Sequence, residues 1–332
     1  AKKLIQDPDT REIIGVVAER RGRETNIKAR RGVVLCCGGF ENNPELSMKY
    51  LPYMNTPVCP LGTPYNTGDG IPMGLAVGAD LWHMDNVAGP AYGFKPPGYE
   101  FSVMTLVYPD NSFIWVGGDG KRYIAEEVEQ VGILLRHGKR KIGGRWVPSP
   151  TPPRMHAIFD EEVRRKGPLV SAAFGMAKTG WQPTFYPDIW SNDNMEEIRK
   201  GWIIQADSIR ELARKKDIDP SSLEDTVRKF DDYCRGGKDP EFNRGRRNMA
   251  PIDRPPFYAL PLTPAILNTQ GGPRRNAGAL IVDTSGESIP RLYSAGELGS
   301  IYSYLYQGGG NLGECVGIGR LAGRNAAREV RI

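Results

Sequence analysis

Three glycine clusters lie where predicted strands end and predicted helices begin, and these are the places where the chain could do chemistry. The clusters are Cys37-Gly38-Gly39, Thr67-Gly68-Asp69-Gly70 and Gly308-Gly309-Gly310-Asn311. At such junctions the free backbone N–H groups and the helix dipole favour negative charge, and the missing Cβ atoms let a ligand approach. A single cluster is typical of an ordinary tight turn, whereas three together predict a bound cofactor.

The hydrophobic pattern supplies the strands and helices that would position these clusters. The apolar run at 33–37 is bounded by turn residues, which is typical of a strand buried on both faces of a parallel sheet. Lys3–Gln6 and residues 12–18 flank Asp7-Pro8-Asp9-Thr10 and predict a β-hairpin. Further strands are predicted at 279–283 and 291–295, and helices at 44–50, 71–78 and 312–330.

The final helix is unusually rich in glycine, which weakens a helix by up to ~1 kcal/mol per residue relative to alanine. We expect close packing against a strand or a ligand to offset this cost. The glycines in question are Gly313, Gly317, Gly319 and Gly323.

The stretch from 86 to 261 differs from the flanking parts, because it mixes aromatic residues, prolines and charges. Apolar residues at helical spacing predict one long helix over 195–214. A second helix is predicted to run from Pro220 to residue 234, with Asp219 as its N-cap. This stretch is therefore predicted to be an inserted α+β domain, flanked by an α/β domain formed from 1–85 and 262–332.

The composition excludes several classes of protein. The 332 residues include 40 glycines and 27 prolines without a repeat, which excludes a coiled coil, a helical repeat array and a disordered chain. The net charge of +5 is too small to indicate a nucleic-acid partner. Five scattered cysteines favour a reducing compartment, and we expect the protein to be cytoplasmic. No metal-ligand spacing appears, and no run approaches the ~18 apolar residues of a membrane span.

Taken in order, five segments resemble the FAD-dependent fumarate reductase and succinate dehydrogenase flavoprotein superfamily, which includes urocanate reductases and 3-ketosteroid dehydrogenases. Residues 206–244 are similar to the capping domain of the same family, so the resemblance covers essentially the whole chain. It implies a Rossmann-like FAD-binding domain, incomplete at its N-terminus, with an inserted α+β capping domain over 86–261. The five segments are VVLCCGGF at 33–40, TGDG at 67–70, TQGG at 269–272, IPRLYSAGE at 289–297 and GGGNLGECVGIGRLA at 308–322.

The resemblance implies FAD as the cofactor and assigns contacts at its nucleotide end. Gly38 and Gly39 would lie against the adenosine–pyrophosphate end. Asp69 and Glu297 would approach the ribityl or pyrophosphate region. Considered without the resemblance, Asp69 would be expected to cap a helix, and Glu297 to be a solvated loop carboxylate.

The resemblance also implies contacts with the flavin itself. Gly310, Asn311 and Leu312 start the final helix, and Asn311 and Leu312 would face the N1/C2=O edge of the ring. A reduced flavin carries negative charge at that edge, and a helix N-terminus stabilises such charge.

Three glutamines stand where fumarate reductases have charged or ionisable residues. Gln270 takes the place of the family's histidine, Gln307 that of the late arginine, and Gln130 that of the cap arginine. A dicarboxylate would lose its charge-assisted partners at these positions. Simple fumarate reduction is therefore not predicted. Gln270 lies in a loop expected over the flavin and is a candidate substrate contact.

Tyr306, followed by a glycine-rich turn, resembles the late motif of ketosteroid dehydrogenases. There a tyrosine O–H and a backbone N–H polarise a ketone and stabilise the enolate. The predicted catalytic residues are therefore Tyr306, Gln130 and Gln270. The cap position that is tyrosine in those enzymes is Gln130 here, so the proton-transfer residue stays open. Its local candidates are Tyr123, Tyr186, Arg136 and His137.

The resemblance predicts an FAD-dependent oxidoreductase that adds or removes hydrogen across a C–C bond conjugated to a carbonyl. The substrate would be a small molecule, neutral or a monocarboxylate, and larger than fumarate. One alternative is a reductase of an unsaturated carboxylate of the fumarate or urocanate type, with cap arginines (Arg136, Arg154 or Arg244) binding the acid. A second alternative is a non-catalytic partner subunit.

The G-x-G-x-x-G fingerprint that begins such flavoproteins does not occur before Val33. We expect this half to come either from a longer polypeptide or from a separate chain. The 332 residues alone are then expected to bind FAD weakly or not at all.

Overall fold

A computed structural model of the chain describes residues 1–51, 58–61, 63–88, 91–99, 103–104, 108–127, 139–142, 145–148, 151–169, 190–302 and 309–332. The chain divides into two units. Unit 1 comprises Ala1–Leu51, Tyr65–Ala88 and Asn268–Ile332, and unit 2 comprises Pro52–Pro64 and Gly89–Leu267.

The elements are numbered in chain order. The strands are β1 (Lys3–Gln6), β2 (Ile13–Arg20), β3 (Arg23–Lys28), β4 (Val33–Leu35), β5 (Cys59–Pro60), β6 (Leu81–Trp82), β7 (Val87–Ala88), β8 (Ala91–Phe94), β9 (Val103–Met104), β10 (Phe113–Gly117), β11 (Lys139–Ile142), β12 (Arg145–Pro148), β13 (Met155–Phe159), β14 (Ile204–Ala206), β15 (Phe257–Ile266), β16 (Asn268–Thr269), β17 (Gly272–Pro273), β18 (Leu280–Val282) and β19 (Ser288–Ser294). The helices are α1 (Pro44–Tyr50), α2 (Gly70–Leu75), α3 (Glu161–Lys166), α4 (Met195–Arg199), α5 (Ile209–Lys215), α6 (Pro220–Gly236) and α7 (Gly310–Arg328).

Unit 1 opens with an antiparallel sheet in the order β1-β2-β3. The predicted hairpin is confirmed, because β1 pairs with β2 in antiparallel register. β3 lies at the edge of this sheet, and its six residues are all exposed, so it has no buried face for a hydrophobic pattern to reveal. Ile13, at the start of β2, is fully buried and ties this sheet to the core of the unit.

A second sheet of unit 1 positions the glycine turns. β4 lies parallel to β19, with Val33 opposite Leu292, and β18 pairs antiparallel with the other edge of β19. The predicted parallel pairing at 33–37 is therefore confirmed, although β4 ends at Leu35 and Cys36 is exposed. The core beneath these strands includes Phe40, Ile71, Leu292 and Leu298.

Unit 2 is built around β15, a ten-residue strand at the centre of a seven-stranded sheet. β15 pairs antiparallel with β13, β14 and β8, and parallel with β5. Helix α6 packs against this sheet through Leu223, Val227 and Phe230, which share a core with Ile114 and Ile158. The apolar face of α6 is therefore what holds it on the sheet.

The predicted long helix over 195–214 is wrong. The chain forms α4, then β14, then α5. Gly201 adopts a left-handed φ of 70°, which ends the first helix, and Ser208 accepts a hydrogen bond from the Glu211 N–H at 3.2 Å and so begins α5. Apolar residues continue through this break because β14 and α5 both bury them, which imitates an uninterrupted helical pattern.

The second predicted helix of unit 2 is confirmed as α6. Asp219 is its N-cap and accepts from the Ser222 N–H at 2.8 Å, with Pro220 in the first turn. In unit 1, Asn43 caps α1 in the same way through the Leu46 N–H at 3.0 Å. Local capping chemistry defines both helix starts, which is why the sequence locates them.

The boundaries of the two units differ from the predicted domain boundaries at three places. Residues 52–64 belong to unit 2, while 86–88 belong to unit 1 and 262–267 to unit 2. The first difference arises because β5 pairs with β15, and the last because β15 runs unbroken to Ile266.

Candidate functional site

The turn after β4 is tightly packed by polar side chains. Gly38 has a left-handed φ of 71°, which favours glycine. A Cβ added to Gly39 would lie 2.5 Å from both Glu41 Oε2 and Thr269 Oγ1. Phe40 N–H donates to Thr269 Oγ1 at 2.8 Å. These glycines therefore let the backbone close onto neighbouring polar groups of unit 1; that they lie against the pyrophosphate of FAD stays a prediction.

A chain of hydrogen-bonded polar side chains runs from this turn across unit 1, and we call its six members, Glu41, Asn66, Glu297, Asn311, Gln270 and Asn86, the polar row. At one end, Asn66 Nδ2 donates to Glu41 Oε1 at 2.7 Å and to Glu297 Oε2 at 3.2 Å. Glu297 thus lies in a hydrogen-bonded setting, and the expectation of a solvated loop carboxylate is wrong.

The other half of the polar row brings three of the predicted site residues together. Asn311 Nδ2 donates to Glu297 Oε1 at 3.3 Å, and Gln270 Nε2 donates to Asn311 Oδ1 at 3.1 Å. Asn86 Nδ2 then donates to Gln270 Oε1 at 2.9 Å. Gln270 is fully buried, so its side chain is held at both ends by neutral amides.

Burial shifts the protonation of both carboxyl groups in the row. It raises the pKa of Glu41 to about 7, against the hydrogen bonds from Asn66 and Thr269, which favour the ionised form. Burial also raises the pKa of Glu297 well above its ordinary value, and the neighbouring Glu41 carboxyl raises it further.

Helix α7 starts beside the polar row. Gly309 precedes it with a left-handed φ of 82°, and a Cβ on Gly310 would lie 2.7 Å from the ring of Tyr302. Asn311 is part of the row, whereas the Leu312 side chain is 73% exposed. The start of α7 therefore presents backbone N–H groups and the Asn311 amide at one place, a setting that favours negative charge.

The glycines of α7 are not packed against a strand of the described chain. Among the described residues, a Cβ on Gly313, Gly317 or Gly323 would meet nothing within 4 Å, and one on Gly319 would only touch Ala295 Cβ at 4.0 Å. The expected packing of Gly313, Gly317 and Gly323 against a ligand stays a prediction.

A buried ion pair anchors the loop that leads to α7. Arg275 pairs with Glu314 and donates to the carbonyl oxygens of Leu298 at 2.8 Å and Gly296 at 3.1 Å. Glu314 also accepts from the Ile301 N–H at 2.9 Å. The sequence does not reveal this pair, because Arg275 follows another arginine and nothing in the pattern marks it as buried.

Asp69 bonds within its own turn. It stands at the N-cap position of α2, as expected from the sequence alone, but its side chain makes no capping hydrogen bond. Its Oδ1 accepts from the Thr67 hydroxyl at 2.9 Å. A contact of Asp69 with FAD stays a prediction.

Several predicted residues lie outside the described part of the chain. They are Tyr306, Gln307, Gln130, Arg136, His137 and Tyr186.

The cap arginines that the structure describes are engaged elsewhere. Arg244 is buried, and its Nη1 lies 3.1 Å from Glu126 Oε2, so it is not free to bind a substrate carboxylate. Arg154 is half-exposed and pairs with Asp217 at 3.2 Å.

Three residues of the polar row were not predicted from the sequence, and two of them lie next to predicted motifs. Glu41 follows the Gly38-Gly39-Phe40 turn, and Asn66 directly precedes Thr67-Gly68. Asn86 has no motif beside it, since it enters the row only through Gln270. Polar residues flanking a glycine turn are the signal that could have found the first two.

The polar row fits the chemistry of FAD. Carboxyl and amide oxygens accept hydrogen bonds from ribityl hydroxyl groups, and amides can serve both donors and acceptors at the polar edge of a flavin. Within the described residues, the buried Asn86 Oδ1 has no hydrogen-bond partner, so the row ends in an acceptor suited to a ligand N–H or O–H.

Other kinds of site find no support in the described residues. No group of three or more His, Cys, Asp or Glu side chains there could hold a metal ion. Of the helices within those residues, none combines the length and apolar character needed to span a membrane.

Comparison with known proteins agrees with this chemistry. The chain is 30% identical over 326 residues to an NADH:acrylate oxidoreductase of Vibrio harveyi, which covers 96% of this chain and 29% of that protein. It is 29% identical over 325 residues to a 3-oxosteroid 1-dehydrogenase of Mycobacterium tuberculosis, covering 91% of this chain and 53% of that protein. The chain thus spans about half or less of these relatives.

A solved structure shows a similar fold. The crystal structure of 3-ketosteroid delta1-dehydrogenase from Sterolibacterium denitrificans superposes with a TM-score of 0.72 at 26% identity, covering 99% of this chain and 59% of that one. This confirms the predicted α/β FAD-binding fold. The family described as "FAD binding domain" matches residues 1–312. The chain therefore belongs to the FAD binding domain family, among relatives of the fumarate reductase and ketosteroid dehydrogenase type, and FAD is its cofactor.

Proposed function

We propose that the chain forms part of an FAD-dependent oxidoreductase that adds or removes hydrogen across a C–C bond conjugated to a carbonyl. The observation that carries this is the polar row at the start of α7, in a chain of the FAD binding domain family. Bound FAD supplies the hydride acceptor or donor. The N–H groups at the start of α7 favour negative charge, and Gln270 and Glu297 hold the Asn311 amide in place beside them.

We infer that the substrate is neutral or a monocarboxylate. Gln270 replaces the family's histidine, and both ends of its side chain are engaged by neutral amides. Among the described residues, no Lys or Arg makes an ion pair with Glu41 or Glu297, the two ionisable members of the row. A ketone suits such surroundings better than a dicarboxylate, which requires charge-assisted partners. The 3-oxosteroid 1-dehydrogenase relative supports this substrate class.

A reductase of an unsaturated carboxylate is the second candidate. The similarity to an NADH:acrylate oxidoreductase favours it. Arg244 is committed to Glu126, so the acid would have to be bound by Arg136, or by Arg154 once its exposed ion pair with Asp217 opens.

The test is steady-state turnover by the flavin-loaded enzyme with a panel of enones, 3-ketosteroids and unsaturated acids. On its ketone substrate, we expect Tyr306→Phe to lower kcat by about 10²- to 10³-fold, because the proposed donor to the carbonyl oxygen is lost. Tyr233→Phe, on α6, is the matched control and should leave kcat unchanged. Unchanged turnover in Tyr306→Phe removes Tyr306 from the mechanism, and turnover of unsaturated acids alone favours the second candidate.

We also propose that a segment carrying the G-x-G-x-x-G turn, from a longer polypeptide or from a separate chain, covers one face of α7. Leu312 and Val316 are 73% and 74% exposed on this face, and Gly313 and Gly317 face open space. Among the described strands, β4 pairs with β19 alone, so one of its edges is available. The flavin content of the isolated chain and of its native assembly tests this proposal.

A further inference from the structure

Glu41 is a buried carboxyl group that joins three segments of unit 1. Only 2% of the residue is exposed. Its Oε2 accepts from Thr269 N–H at 3.3 Å and from the Thr269 hydroxyl at 3.4 Å, and its Oε1 accepts from Asn66 Nδ2 at 2.7 Å. Thr269 directly precedes Gln270, and Asn66 also donates to Glu297. Glu41 is therefore linked to two predicted site residues, to Gln270 through Thr269 and to Glu297 through Asn66.

The neutral side-chain amide of Asn66 donates a hydrogen bond to both Glu41 and Glu297. No cation among the described residues contacts either carboxyl group. The charged group facing Glu297 from α7 is Glu314, whose charge is balanced by Arg275, and the Cys315 thiol lies on the same helix. Two carboxylates this close in a poorly solvated place repel each other strongly. Holding one proton is the alternative that removes the repulsion.

A second observation at the far end of the polar row points to a ligand. Asn86 is 2% exposed, and its Oδ1 has no hydrogen-bond partner among the described residues. A buried amide oxygen without a donor is costly unless a ligand or water supplies one. The polar row thus has the carboxyl pair at one end. At the other end lies the Asn86 amide oxygen, an acceptor without a donor among the described residues.

We propose that Glu41 is a further positioning residue of the FAD site, and that it holds Asn66 and Thr269 while sharing one proton with Glu297. The proton comes from solvent and leaves the pair with one negative charge instead of two. FAD brings negative charge in its pyrophosphate, so the singly charged pair is the form compatible with FAD binding. This inference rests on FAD as the cofactor and not on the class of substrate.

The direct test is the infrared C=O band of a protonated, buried carboxylic acid in the chain without FAD, followed between about pH 5 and pH 9. The unmodified chain should show this band at pH 7. Both Glu41→Gln and Glu297→Gln should move the midpoint of this band's titration to lower pH, because the carboxyl group left behind is still buried but no longer has a like charge beside it. Glu45→Gln, an exposed residue of α1, is the matched control and should leave the midpoint unchanged. A midpoint that stays where it is in both site variants overturns the shared proton.

FAD affinity, measured by fluorescence titration of the flavin-binding assembly, provides a second readout. Affinity should fall as the pH rises through the titration of the pair, by at most tenfold per pH unit for one linked proton. Glu41→Gln keeps a neutral hydrogen-bonding group, so its affinity should stay near that of the unmodified protein at low pH and lose its pH dependence. Glu41→Ala should bind FAD weakly at every pH. An unchanged pH dependence in Glu41→Gln contradicts the proposal, whatever substrate the enzyme proves to turn over.

Discussion

At the scale of single residues, glycine serves two opposite purposes in unit 1. At Gly39 the absence of a Cβ lets Glu41 and Thr269 close onto the backbone, both 2.5 Å from where that atom would be. At Gly323, in the middle of α7, a Cβ would meet nothing within 4 Å. The turn at Gly39 has no room for a Cβ, whereas the described residues around Gly323 leave room for one.

A pair of alanine substitutions separates these two roles. Gly39→Ala forces the turn away from Glu41 and Thr269, and we expect it to lower the free energy of unfolding by about 1–3 kcal/mol. Gly323→Ala should raise the same free energy by about 0.5–1 kcal/mol, because alanine is the better helix former. Urea denaturation measures both changes. An equal effect of the two substitutions would argue against the packing at Gly39.

At the scale of elements, a buried ion network holds unit 2 together around Glu126. Glu126 Oε2 lies 2.8 Å from Arg122 Nη2 and 3.1 Å from Arg244 Nη1, and Arg122 also reaches Asp239 at 3.0 Å. Glu126 Oε1 accepts from the Trp115 N–H at 3.0 Å, which ties the network to β10. Glu241 Oε2 lies a further 4.0 Å from Arg122 Nη1, but the buried charges are compensated mainly by one another, so the network depends on its buried members.

Replacing Glu126 by glutamine leaves Arg122 and Arg244 buried without their shared anion. We expect Glu126→Gln to cost about 3–5 kcal/mol of unfolding free energy, as breaking a buried pair does. Glu224→Gln removes an exposed partner of Arg210 and serves as the control, with a much smaller expected change. Chemical denaturation measures the unfolding free energy of both variants. Equal losses of unfolding free energy would mean that the buried network contributes no more to stability than the surface pair.

Among the helices, two starts could be predicted from the sequence, whereas one break could not. The starts of α1 and α6 were predictable, since Asn43 and Asp219 cap them through atoms a few residues away. The break at Gly201 was not, because the apolar spacing continues across it.

The site itself was predictable only in part. The motifs located Glu297, Gln270 and Asn311, but the hydrogen bonds among them depend on tertiary structure. Asn66 and Glu297 are 231 positions apart in the chain, and Asn86 and Gln270 are 184 positions apart. No local pattern carries information over such separations, so the hydrogen bonds of the row emerged only from the fold, even though Glu41 and Asn66 flank predicted glycine turns.

At the scale of the whole molecule, the exposed face of α7 and the available edge of β4 both lie in unit 1, the unit that holds the polar row. Exposed apolar side chains such as Leu312 and Val316 lose their contact with water when another chain covers them, which favours association. In the proposed arrangement, unit 1 forms the FAD site, and a further segment that packs on α7 completes it.

The flavin content of the protein tests this account most directly. The chain is captured from its natural source through an affinity tag, in its native assembly, and the visible absorption of bound flavin is compared with that of the isolated 332-residue chain. We predict about one FAD per chain in the assembly and little or none in the isolated chain. Stoichiometric FAD in the isolated chain would contradict the need for a further segment. An assembly without any flavin would contradict the account as a whole.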